Sequence, residues 1–188
     1  MNNLMLDLET MGTGPTAPIV AIGAVFFEPS TGELGSQFYN TVDLSSDMAK
    51  GAIPDGETIK WWLKQSDEAR AAIVSEHAIP IVYALLNLSD FIENFADKNT
   101  LEVWGNGASF DNVILRSAYE RAGLTPKLFW NWWNDRDVRT VVALGKQIGF
   151  DPKRDLPFEG ERHHALADAI HQARYVSAIY QRLIGQEE

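Results

Sequence analysis

Asp7 and Glu9 stand two residues apart in Leu4-Met5-Leu6-Asp7-Leu8-Glu9-Thr10, where leucines alternate with Met5, Asp7 and Glu9. On a β-strand that alternation puts Leu4, Leu6 and Leu8 on one face and both carboxylates on the other, a few ångströms apart. Buried like charges at that range cannot both stay ionised without compensation. The usual compensation is a hard divalent cation, which takes oxygen ligands. Taken alone, these seven residues also fit a surface edge strand with one polar face.

Two further segments place acids where an element would otherwise be apolar. Asp111 follows Asn106-Gly107-Ala108-Ser109-Phe110 at the expected start of a helix. Aspartate there can also cap the helix or complement its dipole. Asp168 lies between two alanines in His163-His164-Ala165-Leu166-Ala167-Asp168-Ala169, where a solvated helix face is the alternative. Together the three segments supply four carboxylates and histidine, with no cysteine in the chain. That donor set suits Mg²⁺ or Mn²⁺ better than Zn²⁺. Two such ions about 3.5–4 Å apart can clamp the attacking and leaving oxygens of a phosphodiester displacement. A histidine near neutral pKa can take the proton from the attacking water.

These three segments, in this order, resemble the three exonuclease motifs of the DEDDh family of 3′–5′ exonucleases, whose fold is ribonuclease H-like. The similarity runs from about residue 3 to 182 and is closest to a small stand-alone branch of mycobacterial-type exoribonucleases and prophage exonuclease VIII-like proteins. Trp61-Trp62 and Arg136-Asp137-Val138-Arg139-Thr140 add to it more weakly. The resemblance implies that Asp7, Glu9 and Asp168 bind one metal ion. It also implies that Asp7 bridges to a second ion, with Asp111 helping directly or through water, and that His163 is the general base. Local geometry offers a competitor. His164 and Asp168 are four apart and share a helix face, whereas His163 reaches the site only from the loop before the helix.

Thr10, Met11, Phe110, Trp61 and Arg139 are the candidate substrate contacts. Met11 could wedge against the terminal base or simply pack. Phe110 could stack on the last nucleotides or belong to the core. Trp61 and Trp62 point about 100° apart on a helix, so one can be core while the other faces substrate or a second subunit. Exposed aromatics stack on bases with little regard for sequence. Arg139 and Arg136 are candidates for phosphate, with Asp135 and Asp137 as competing partners for Arg139. Trp130, Trp132 and Trp133 read as core or interface, and His77 and His171 as structural.

The elements that must position these residues follow from periodicity. Leu4–Thr10, Ile19–Phe27 and Gln37–Val42 predict three strands, the last two joined as a hairpin across Glu28–Glu33. The stretch 41–55 reads as loop. Helices are predicted at 57–65, 67–76 and 80–96, the last starting on Pro80 with Leu85, Leu88, Ile92 and Phe95 on one face. A strand at 101–104, a helix at 110–122 closed by Gly123, a short aromatic strand at 129–134 and a helix at 138–148 follow. Loop covers 150–162, and a last helix 164–184. Three strands followed by helices interleaved with short strands predict an α/β layer fold. The resemblance makes it a mixed five-stranded sheet flanked by helices.

At 188 residues the chain fits one domain, 1–188, with a sizeable core. The absence of cysteine excludes disulfides, thiolate metal sites and a cysteine nucleophile, and is compatible with a reducing cytosol. No signal peptide or membrane-length apolar run is evident, so a cytoplasmic location is expected. The formal charge of −10 counts against an extended duplex-binding surface. It counts less against an enzyme gripping a few nucleotides through metal ions. The expected activity is therefore metal-dependent 3′–5′ hydrolysis of single-stranded RNA or DNA from its 3′ end, releasing nucleoside 5′-monophosphates. A homodimer is a further expectation, from the tryptophan content and the resemblance. The competing readings are a catalytically silent nucleic-acid-binding module and a phosphohydrolase of haloacid dehalogenase type. The latter needs a second Asp where Glu9 stands and a lysine-bearing motif that is not evident.

Overall fold

Leu4, Met5 and Leu6 are all fully buried, so the first strand is covered on both faces. In the computed structural model, which describes residues 1–160 and 162–185, this strand is the centre of the sheet. β1 (Asn3–Thr10), β2 (Ile19–Glu28) and β3 (Glu33–Thr41) form an antiparallel meander. β4 (Glu102–Gly105) and β5 (Asp135–Asp137) add to the other side of β1 in parallel, giving the order β3-β2-β1-β4-β5. This is the mixed five-stranded sheet expected.

One face of the sheet buries Leu4, Leu6, Leu8, Ile22 and Phe26 beneath α4 (Ile81–Glu93) and α5 (Asp111–Arg121). The other buries Met5, Val25 and Phe27 beneath α8 (Ala165–Leu183), with Val138 of α6 (Val138–Gln147) completing the layer. Each buried Leu, Ile, Val or Phe contributes about 1.5–3 kcal/mol, so both layers hold β1 and its carboxylates in register. α2 (Gly56–Trp62) and α3 (Asp67–Ile73) close the end of the sheet over Met11 and Val20.

α8 rests on the sheet at one close approach. Gly23 lies opposite Asp7 in the β1–β2 register, and Ala21 lies opposite Glu9. A Cβ at Gly23 would sit 2.2 Å from the carbonyl carbon of Ala165 and 2.3 Å from the amide nitrogen of Leu166. No side chain fits there, so the backbone at the start of α8 lies directly on β2. Asp168 is thereby brought over the β1 acids. A similar contact seats α5: a Cβ at Gly105 would meet Asn112 Oδ1 at 2.3 Å.

The structure departs from the sequence expectations in several places. β3 begins at Glu33 rather than Gln37, because the turn after Glu28 closes tightly on Gly32 (φ 77°). The stretch read as loop at 41–55 holds a short helix, α1 (Leu44–Met48), capped by Asp43. Its buried Asp47 accepts the Ile19 N–H at 2.8 Å and pairs with Arg121 at 3.0 Å. Those partners are distant in the chain, so local pattern does not reveal them. Residues 129–134 are not a strand. Trp130 turns into the core, Trp132–Asn134 make a single 3₁₀ turn, and the strand follows at β5. Phe95 lies beyond the end of α4, about half exposed, against Phe26 and Phe91. The stretch 150–162 contains α7 (Pro152–Asp155), capped by Asp151; residue 161 of it lies outside the described residues.

Gly23→Ala should overpack the β2–α8 contact by about 1–3 kcal/mol. At roughly 2–4 °C per kcal/mol for a chain of this size, the melting temperature should fall by several degrees. The variant should also bind Mn²⁺ more weakly by calorimetry, because Asp168 moves with the helix. Wild-type melting and affinity would count against this role for Gly23.

Candidate active site

Each acid is held by a different device. Asp7 and Glu9 share the α8-facing side of β1 by strand alternation. Asp111 is the first residue of α5, and its carboxylate reaches back to the sheet. Its Oδ1 accepts the Leu8 N–H at 3.2 Å and its Oδ2 accepts the Asn106 N–H at 3.1 Å. Asp168 sits in the first turn of α8. One oxygen each from Asp7, Glu9 and Asp168 lies within 4.8 Å of the others. Asp168 Oδ2 is buried and has no hydrogen-bond partner among the described residues.

The electrostatics follow from crowding four acids into a desolvated site. Burial, then the charges of Asp111, Glu9 and Asp168, push Asp7 well above the ordinary carboxylate range, against a hydrogen bond from Gln172. Burial, then Asp168 and Asp111, raise Glu9 to about 8. Burial raises Asp111 to about 7 despite the backbone N–H groups it accepts from. Burial likewise raises Asp168, opposed by the backbone of His163 and by its ring. Four convergent carboxylates and an unpartnered carboxylate oxygen match the needs of Mg²⁺ or Mn²⁺, hard cations that take oxygen ligands.

The two histidines part company. His164 is the N-cap of α8, its Nδ1 accepting the Ala167 N–H at 3.5 Å, and its ring stacks on Tyr39 at 4.4 Å. His163 lies on the turn before the helix with φ 63°, a left-handed conformation rare outside glycine. Its ring meets the indole of Trp61 edge-on at 4.9 Å. Trp61 is exposed, whereas Trp62 is buried and donates its indole N–H to the Thr10 carbonyl at 2.9 Å. Glu9, Thr10, Phe110, Trp61 and Trp62 line a groove of about 440 Å³.

Other candidates are redistributed. Met11 is buried with Val20, Trp62, Ala69 and Ile73, so it packs in the core instead of wedging against a base. Arg136 pairs with Glu102 and is not available to phosphate. Arg139 is exposed, and among the described residues its guanidinium reaches Asn106 Oδ1 at 3.4 Å. Its expected competitors are engaged elsewhere, Asp137 in capping α6 and Asp135 with Asn112, Arg116 and Trp130. Trp130 is core, while Trp132 and Trp133 are exposed and stacked edge-on at 5.6 Å. His77 is exposed, and His171 is half-buried between Phe158 and Tyr175.

The sequence reading missed Gln172. Its Nε2 donates to Asp7 Oδ1 at 2.7 Å across 165 positions of chain. The available signal was its place four residues after Asp168, on the same face of an alanine-rich helix.

Solved structures share this architecture. The zinc-bound complex of E. coli exonuclease I with single-stranded DNA matches with TM-score 0.70 at 15% identity, over 96% of this chain and 40% of that one. The nuclease domain of 3′hExo, a DEDDh family member bound to rAMP, matches with TM-score 0.58 at 16% identity, over 98% and 92% of the two chains. The chain therefore spans well under half the length of exonuclease I. The fold is that of the ribonuclease H-like exonucleases. The exodeoxyribonuclease of Enterobacteria phage T4 is 27% identical over 166 residues, 76% of this chain and 71% of the phage protein. Residues 2–180 match the 3′–5′ exoribonuclease Rv2179c-like domain, and the chain belongs to that family of phosphodiester-hydrolysing exonucleases. No helix among the described residues is long and apolar enough to cross a membrane.

The raised carboxylates fix the sign of a pH effect. Glu9 moves from an ordinary 4.5 to about 8 on folding. Between those values the folded protein holds a proton that the unfolded chain has lost, so this group's contribution to metal-free stability declines as pH rises. A bound cation takes the place of that proton. The rise in melting temperature produced by saturating Mn²⁺ should therefore be larger at pH 8 than at pH 5, and flatter in Asp7→Asn. A rise independent of pH would contradict the assigned ligands.

Proposed function

We propose that this protein is a metal-dependent 3′–5′ exonuclease that trims single-stranded RNA or DNA and releases nucleoside 5′-monophosphates. The observation that carries the reading is the meeting of four acids, Glu9 and Asp111 buried and Asp7 and Asp168 half-buried, beside a groove walled by aromatic rings. Asp7, Glu9 and Asp168 would hold one divalent ion, and Asp7 with Asp111 a second. Such ions, when bound, would polarise the phosphodiester and offset the negative charge growing on its oxygens.

The chain's own residues do the rest. Gln172 orients the Asp7 carboxylate through its 2.7 Å hydrogen bond. His163 takes the proton from the attacking water. Its place on the turn before α8, beside Trp61, leaves it nearer the groove than the capping His164. The exposed Trp61 and the half-buried Phe110 stack on the terminal base, with Thr10 beneath them. Arg139, whose expected acidic partners are otherwise engaged, contacts a phosphate. A homodimer belongs to the same reading, with the exposed Trp132–Trp133 pair beside edge strand β5 as its apolar surface.

Incubating 5′-labelled RNA and DNA oligomers of one sequence with Mn²⁺ or Mg²⁺, with a chelator control, tests the activity. A metal-dependent ladder shortening from the 3′ end is expected, and its faster member gives the preferred sugar. Asp7→Ala should abolish turnover with the fold intact. His163→Ala should slow hydrolysis by roughly 10²–10⁴ with metal binding largely kept, and His164→Ala far less. No cleavage of either oligomer with metal bound would overturn the reading.

A further inference from the structure

The carboxylates stand between two grooves of opposite character. Glu9 and Asp55 lie in the wall of the aromatic groove of about 440 Å³, which no lysine or arginine lines, and Glu57 beside them is paired with exposed Lys60 at 2.7 Å. Asp168 and Gln172 lie in the wall of a second, larger groove of about 920 Å³ between α6, α7 and α8. Arg139, Lys146, Lys153 and Arg162 line that one. In a chain with a formal charge of −10, this concentration of cations is unusual. Asp151 neutralises part of it through Lys146 at 3.5 Å, whereas exposed Lys153 has no ion pair among the described residues.

A nucleic-acid strand is not symmetric about its last phosphodiester. On the 3′ side lies one nucleoside ending in a hydroxyl. On the 5′ side lies a run of phosphates. An acid-rimmed groove with aromatic walls accepts a base and sugar but repels further phosphate. A groove lined by Lys and Arg does the opposite, because cationic contacts with the backbone dominate single-strand affinity. Resting on the exonuclease reading above, we infer that the α6–α7–α8 groove is the track for the strand 5′ of the scissile phosphate. Lys146, Lys153 and Arg139 grip its phosphates, and apolar Val142 and Phe158 offer surface to its bases. Strand direction at the site is then set by charge, and a 3′-terminal phosphate is excluded by Asp55.

The test compares two substrates in Mn²⁺: a single-stranded decanucleotide and the p-nitrophenyl ester of thymidine 5′-monophosphate, which has no strand 5′ of the scissile phosphate. In the double variant Lys146→Ala, Lys153→Glu, the ratio of kcat/KM for oligomer to that for ester should fall at least tenfold, through KM for the oligomer. Oligomer binding to Asp7→Asn should lose about 0.7 in its log–log salt slope for each cation removed. A 3′-phosphorylated oligomer should be cut at least tenfold more slowly, and Asp55→Asn should narrow that gap. A ratio within twofold of wild type, or an equal fall on both substrates, would overturn the track. If the wild type cleaves neither substrate, the nuclease reading fails instead. The salt slope then decides the groove by itself: a smaller slope in the double variant supports it, and an unchanged slope overturns it.

Discussion

The crowding of four carboxylates into a desolvated site, two of them buried and two half-buried, is the constraint on which the rest of this molecule turns. Burial and neighbouring acids push Glu9 to about 8 and Asp7 well above its usual range, and burial raises Asp111 to about 7. Such a cluster is unfavourable by itself and persists only because each member is held by structure formed for other reasons. Asp7 and Glu9 ride on a central strand whose neighbours are packed on both faces. Asp111 is tied to the backbone of Leu8 and Asn106. Asp168 comes in on a helix that lies against Gly23 with no room for a side chain. Apolar packing thus supplies the force that keeps the charges together, and a divalent cation is the chemistry that relieves them.

The same economy appears around the acids. The partners of Asp7 and Glu9 on β2 are Gly23 and Ala21, and the bare backbone at Gly23 lets the start of α8 lie directly on the strand beside the carboxylates. Trp62 is buried and anchors the groove floor through Thr10, while adjacent Trp61 stays outside to meet His163. Two neighbouring tryptophans therefore do separate work because a helix turns about 100° per residue. His163 and His164 divide in a similar way, one on the turn and one as the helix cap.

Charge is distributed to match. The chain is strongly acidic overall, yet the groove between α6, α7 and α8 gathers arginine and lysine, while the charged residues lining the aromatic groove are acids. Net charge alone argues against nucleic acid as a partner. The local arrangement fits a short single-stranded end, with the cationic groove on one side of the four acids and the aromatic groove on the other.

The ordered set of acids, the alternation of β1, the β2–β3 hairpin and the long last helix are all local patterns, so they were legible in the sequence itself. The expectation of a hard divalent cation rests on the same residues, because four carboxylates without cysteine leave few choices. The tertiary structure alone decided which side chains these elements bring into contact. Met11 went to the core and Arg136 to Glu102, although both stand beside the candidate site motifs. Gln172 found Asp7 across the whole length of the chain. The short helix at Asp47 and the strand at Asp135 depend on partners from other elements, Arg121 and Ile19 for the first, Arg116 and Trp130 for the second. Periodicity reports which face of an element is apolar. It carries no information on which distant polar group will lie opposite, since that depends on how the finished layers pack.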